Sequence, residues 1–141
     1  MVGVVIVTHY RLADEFLQAV RMIVGERPHV HAVGLDPSTT SSEDMRARLD
    51  KAIHAGDTGS GVLVLVDMFG GTPSNLALAF LEENRIEVVT GLNLPMLVKV
   101  AEIRESLSVA ELAAIARDYG RRNISVASEI LAARDDRGAR V

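Results

Sequence analysis

Residues 2–8 (VGVVIVT) and 61–66 (GVLVLV) are short runs without a charged side chain, and the second has no polar side chain at all. A strand with one face in water alternates apolar and polar residues, so a run that is apolar at both parities must be covered on both faces. The segments between such runs have the spacing to do the covering. Residues 12–24 place Leu12, Phe16, Leu17, Val20 and Ile23 at helical intervals, and Gly25 stands where that helix would stop. Residues 30–35 read as a second strand. Ser41 with Asp44 resembles a capping signal and opens a helix to about Ala55. After the strand at 61–66, Thr72 and Pro73 start a helix to about Glu83, with Thr72 as its cap. Residues 86–90 make a fourth strand. Asn93 caps a helix from Leu94 to about Arg104, and residues 108–119 form another, ended by Gly120. Residues 123–127 suit a short final strand, and the charged residues 132–141 form a frayed tail.

Strand and helix thus alternate four times, which predicts an α/β fold with a mostly parallel four-stranded sheet and helices on both faces. A length of 141 residues suits one domain, and 48% hydrophobic residues can fill its core. A net charge of −4 argues against nucleic acid as a partner. The absence of cysteine removes disulfide and thiolate chemistry. No export signal is apparent, and no apolar run approaches the roughly 20 residues of a membrane span, so a cytoplasmic location without membrane insertion is expected.

Sheets of this kind bind ligands beyond the carboxyl ends of their strands, where the strand order reverses. In a 2-1-3-4 order the reversal lies between the first and third strands, which brings His9 beside Asp67. A buried strand has little reason to end in a carboxylate unless the carboxylate has a partner. An Asp accepting Nδ1–H fixes the imidazole tautomer and frees Nε2 as a nucleophile. Gly70 and Gly71 permit close backbone approach, and the helix start at Thr72, Pro73 and Ser74 offers N–H groups and hydroxyls to an anion. The sequence has neither a Walker lysine nor a dinucleotide fingerprint. His9, Asp67 and this cradle together amount to a nucleophile, its orienting base and an oxyanion site. His29, His31 and His54 do not form a metal-ligand set, and neither a metal nor another cofactor is called for.

Three segments in this order, GVVIVTH (3–9), VDMFGGTPSN (66–75) and TGLNLPML (90–97), resemble the IIA component of the mannose class in the bacterial phosphoenolpyruvate-dependent sugar phosphotransferase system. The resemblance extends over nearly the whole chain and assigns residues 1–131 to that domain. It implies that His9 is phosphorylated by the phosphohistidine of the small carrier HPr, that Asp67 orients it, and that Thr72 with the Gly71 and Thr72 backbone lies near the phosphoryl oxygens. It further implies a homodimer in which residues 123–127 cross to the partner subunit, which would complete an otherwise exposed sheet edge. The sequence departs from its relatives at Tyr10, where a small residue is common. A tyrosine does not take positive φ cheaply. It can narrow the pocket, donate its hydroxyl to phosphate or hinder docking.

Met68 and Phe69 are either core residues or an apolar rim where HPr docks, and Asn93 is either a cap or a neighbour of the pocket. The sequence stops at Val141, so a IIB acceptor is expected to be a separate protein. Residues 119–131 look most like stand-alone relatives thought to serve regulation, which favours a regulatory target over sugar uptake. Two alternatives remain at this point. One is a flavodoxin-like module, regulatory or ligand-binding, that is not phosphorylated. The other is the phosphocarrier subunit of dihydroxyacetone kinase, over which the NLPML segment favours the mannose class.

Overall fold

The computed structural model describes residues 1–139, and side-chain surroundings through residue 136. Four parallel strands, β1 (Gly3–His9), β2 (Val30–Leu35), β3 (Val62–Val66) and β4 (Ile86–Thr90), lie in the order β2-β1-β3-β4. Their connections carry α1 (Leu12–Val24), α2 (Ser42–Gly56) and α3 (Thr72–Leu78), and α4 (Leu94–Glu102), α5 (Val109–Arg122) and α6 (Ala127–Ala139) follow β4.

The two-residue period of the strands sorts the core into two layers. Val4 pairs with Leu63 and Ile6 with Leu65, and these four face a cluster completed by α1, α4 and α5. Val5 pairs with Val64 and Val7 with Val66, and these face the other way onto Met45, Leu49 and Ile53 of α2 and Ala77 of α3. Every residue of β3 is buried, as a doubly covered central strand requires. Ser41 caps α2 by accepting from the Asp44 N–H, and Ser108 with Glu111 closes a full capping box on α5.

Several boundaries differ from expectation. Residues 123–127 are not a strand. The Asn123 side chain donates to the Tyr119 carbonyl, the Ile124 N–H bonds to Arg121, and the Val126 carbonyl accepts from Glu129 and Ile130. Local bonds thus take up backbone groups that a strand would have offered to an edge. Ala127–Ala139 are helical, because ASEILAAR consists largely of strong helix formers. From Ala127 to Asp136 every residue of α6 is exposed, and the last two residues of the expected tail lie outside the described residues. Helix α3 stops at Leu78 instead of Glu83, because Asn84 takes φ +64° and the Glu82 carbonyl accepts from Arg85 and Ile86 in the turn that launches β4. Gly120 lies inside α5 rather than beyond its end, where a side chain would meet the Met96 Cε at 2.7 Å.

Candidate functional site

Strand β1 ends at His9, and Asp67 follows β3 directly. Because β1 and β3 are neighbours, the two residues meet at the carboxyl edge of the sheet. The Asp67 carboxylate is held at both oxygens. Oδ2 accepts the His9 backbone N–H at 3.0 Å and lies 2.9 Å from the ring Nδ1, while Oδ1 accepts the Met68 N–H at 3.0 Å. An ionised carboxylate only accepts, so Nδ1 is the protonated nitrogen and Nε2 carries the free lone pair.

Nε2 points to the start of α3. A side chain on Gly71 would stand 3.2 Å from Nε2 and 3.3 Å from Cε1, and Gly71 has φ +85°. Glycine is therefore needed twice here, for the backbone angle and for the space over the ring. The imidazole is 43% exposed and the carboxylate 13%, so the ring is open while the carboxylate is sheltered.

The turn from β1 into α1 is built to hold this ring. Tyr10 has φ +53°, a costly left-handed angle for a tyrosine. Its N–H donates to the Leu35 carbonyl at 2.7 Å. Buried Thr8 spans the turn: its Oγ1 accepts the Ala13 N–H at 2.6 Å and donates to the His9 carbonyl. Arg11, at the cap position of α1, makes no side-chain cap bond, and Thr8 takes over that role from the strand. Gly34 completes the arrangement, since a side chain there would strike the Tyr10 carbonyl at 2.1 Å. The sequence places Thr8 beside His9 at the strand end but does not reveal this bridging role, and it gives no role to Gly34. The available signals were a Thr at the end of an apolar strand and a Gly inside another strand.

The remaining candidates separate. Gly71, not Thr72, occupies the cap position of α3, and Thr72 is the first helical residue. The N–H groups of Thr72 and Ser74 have no protein acceptor among the described residues, as first-turn donors do. Ser74 itself is fully buried, and its hydroxyl has no protein partner. Tyr10, Met68 and Phe69 are exposed at 59, 56 and 73%, forming an aromatic and thioether rim next to His9 and Asp67 in the chain. The Arg11 guanidinium lies over the Tyr10 ring and donates to its hydroxyl. Asn93 is committed to the scaffold: Oδ1 accepts the Met96 N–H and Nδ2 donates to the Gly120 carbonyl. Among the described residues no group of three metal-ligating side chains stands together, and no helix is long and apolar enough to cross a membrane.

Comparison with known proteins gives this geometry a context. A family model for mannose-type EIIA, described as "PTS system fructose IIA component", matches residues 3–117. The sorbose-specific EIIA component of the phosphotransferase system (PTS) of Lacticaseibacillus casei is 34% identical over 112 residues, covering 77% of this chain and 78% of that protein. The mannose-specific EIIAB component of Escherichia coli K12 is 35% identical over 128 residues, covering 87% of this chain but 38% of that longer protein. The mannose/sorbose-specific IIA subunit from Enterococcus faecalis superposes with a TM-score of 0.79 at 29% identity, over 89% of this chain and 93% of that one. With the family model matching most of the chain and relatives and fold in agreement, the chain belongs to the mannose-type EIIA family, the phosphocarrier components of the sugar phosphotransferase system.

Proposed function

We propose that His9 accepts a phosphoryl group at Nε2 from the phosphohistidine of an HPr-type protein in the cytoplasm and passes it to a IIB component or a regulatory target. The observation that carries this reading is the 2.9 Å contact between Nδ1 and Asp67, with Nε2 left open against Gly71. In the forward step the Nε2 lone pair attacks phosphorus in line, and the bond from phosphorus to the donor imidazole breaks. The donor nitrogen keeps that electron pair. Nδ1–H stays on Asp67, whose negative charge offsets the positive charge that builds on the His9 ring. Gly71, which adjoins Nε2, and the Thr72 N–H, which has no protein acceptor among the described residues, would receive the transferred oxygens, whereas Ser74 is fully buried. The exposed Tyr10, Met68 and Phe69 supply the kind of rim on which a partner protein docks.

The same proposal includes a homodimer. The outer edge of β4 and the adjoining face of α5 form a groove of about 480 Å³ that includes Val88, Ala113 and Ile124. Ile124, Val126, Ile130 and Leu131 are exposed apolar residues in the segment after α5. Exchange of that segment between two copies would bury both surfaces.

The test is intact-mass spectrometry after incubation with phosphoenolpyruvate, enzyme I and HPr, with His9→Ala in parallel. One acid-labile phosphate on the wild type and none on the variant is expected. No phosphate on the wild type beside active donors would overturn the carrier assignment.

A further inference from the structure

The opposite edge of the sheet has a feature that phosphotransfer at His9 does not use. Along the outer side of β2 runs a groove of about 520 Å³ between α1 and α2. Four cationic side chains border it: Arg21 of α1, Arg27 of the following loop, and Arg48 and Lys51 of α2. His31 joins them, and the lining contains no carboxylate, although the chain as a whole carries a net charge of −4. Arg21 pairs with Glu26, and Arg27 is bonded to the carbonyls of Ala101 and Glu26. Arg48 and Lys51 are exposed and have no ion-pair partner among the described residues.

The floor of the groove is the outer edge of β2, where the Val30 N–H is taken by the Arg27 carbonyl and the backbone at Ala32 has no partner among the described residues. In a parallel ladder, alternate residues direct their backbone groups to one neighbour. The bonds from Val4 N–H to the His29 carbonyl and from Tyr10 N–H to the Leu35 carbonyl show that the odd-numbered residues of this strand face β1. Ala32 in the groove therefore turns its N–H and carbonyl outward. A phosphate or other small anion would satisfy the cations but not this edge. An extended peptide would satisfy both, with its backbone on Ala32 and acidic side chains on the cations of the two helices.

We infer that the β2 edge is a docking site for an extended acidic segment of a partner protein, which adds to the sheet as a fifth strand. The groove lies toward the amino end of β2, with Val30 to Val33 in its lining, whereas His9 pairs with Leu35 at the other end. Docking here is therefore independent of the carrier role.

The test uses the full chain and a fluorescently labelled peptide of about seven alternating Glu and Val residues, the length of an ordinary strand. Its Lys/Val counterpart and a backbone N-methylated Glu/Val peptide are the controls, with anisotropy as the readout. The Glu/Val peptide is expected to bind and to slow hydrogen exchange at the Ala32 amide, while the Lys/Val peptide does not bind. N-methylation is expected to weaken binding by about tenfold, and Arg48→Glu/Lys51→Glu by at least about tenfold, as loss of paired charges at an interface does. Phosphorylation of His9 in that variant serves as the check on its fold, and Arg48→Gln/Lys51→Gln serves in its place if the charge reversal fails that check. Absence of binding would overturn the inference and leave the cations as guards of an exposed edge. Equal binding of the native and N-methylated peptides, or ready displacement by inorganic phosphate, would overturn it in favour of a small-anion patch.

Discussion

Two aspartates flank β3, and they differ in what they hold. Asp57, before the strand, accepts from the Gly59 and Gly61 N–H groups with Oδ1 and from Arg85 Nε with Oδ2. Asp67, after the strand, accepts from the Met68 N–H with one oxygen and from the His9 N–H and ring with the other. Both carboxylates are sheltered, at 16 and 13% exposure, and both tie a loop to the sheet. The difference lies in the third partner. A guanidinium is charged at every accessible pH and has no lone pair to offer, so the Asp57 site is closed chemically. An imidazole bonded through one nitrogen still presents the other, so the same local design at Asp67 leaves a ring nitrogen open. Loop anchoring and the proposed phosphotransfer would therefore share one arrangement, with the identity of the partner side chain deciding between them.

The sharpest way to break this comparison is Asp67→Asn. Transfer to His9 is expected to fall by roughly 10²- to 10⁴-fold, because an amide no longer enforces the Nδ1–H tautomer. The far-UV circular dichroism should be unchanged. Phosphorylation at the wild-type rate, followed by rapid quench, would remove the orienting role. Gly71→Ala comes next. It forces a side chain to φ +85° and within 3.2 Å of Nε2, so stability should drop by about 1–2 kcal/mol, the cost of a left-handed angle, and transfer should slow with it. A variant that loses stability but not rate would show that Nε2 does not need the space over Gly71.

Asp57→Asn is the counterpart at the closed end. It should cost about 1–2 kcal/mol in urea unfolding, the worth of hydrogen bonds to a charged group, and leave the transfer rate within about twofold, since Arg85 has no part in the chemistry. Its pH dependence sharpens the comparison. The Gly59 N–H, followed by the Arg85 side chain and the Gly61 N–H, holds the Asp57 carboxyl below its ordinary pKa. A depressed folded-state pKa means that the unfolded chain takes up the proton first as pH falls. The contribution of Asp57 should therefore be complete above about pH 5 and be lost as pH falls through the unfolded value near 4 and then the folded one. The stability gap between wild type and Asp57→Asn should narrow over that interval. The smallest effect is expected at Tyr10→Gly. Relief of the left-handed angle, worth about 1 kcal/mol, is offset by the greater unfolded-state entropy of glycine, of similar size. The melting temperature should thus shift by only a few degrees, and a larger fall would show that the Tyr10–Arg11 contact stabilises the turn.

Much of the site was legible in the sequence because it depends on strand ends. Two runs too apolar to be half-exposed had to be central strands, and His9 and Asp67 are the residues that terminate them. Asn93 and Ser41 were readable at helix starts because capping is a local interaction across three residues. The roles of Thr8 and Gly34 were not legible because they are not local. Thr8 caps a helix from five residues upstream, and Gly34 is required by a carbonyl on a different connection. The segment after α5 was misread for a related reason. Its apolar residues at 124 and 126 fit a strand pattern, but a strand exists only where an edge receives it, and in the single chain local bonds and helix propensity prevail.

The sequence by itself pointed to a mostly parallel sheet with the first and third strands at its centre, and to His9 and Asp67 beyond their ends, because burial on both faces leaves a short apolar run few other arrangements. Tertiary structure alone decided that Thr8 spans the turn into α1, that Tyr10 accepts a left-handed angle, and that Ser74 turns its hydroxyl inward. Those outcomes depend on distances of about 3 Å, which only the packed fold sets.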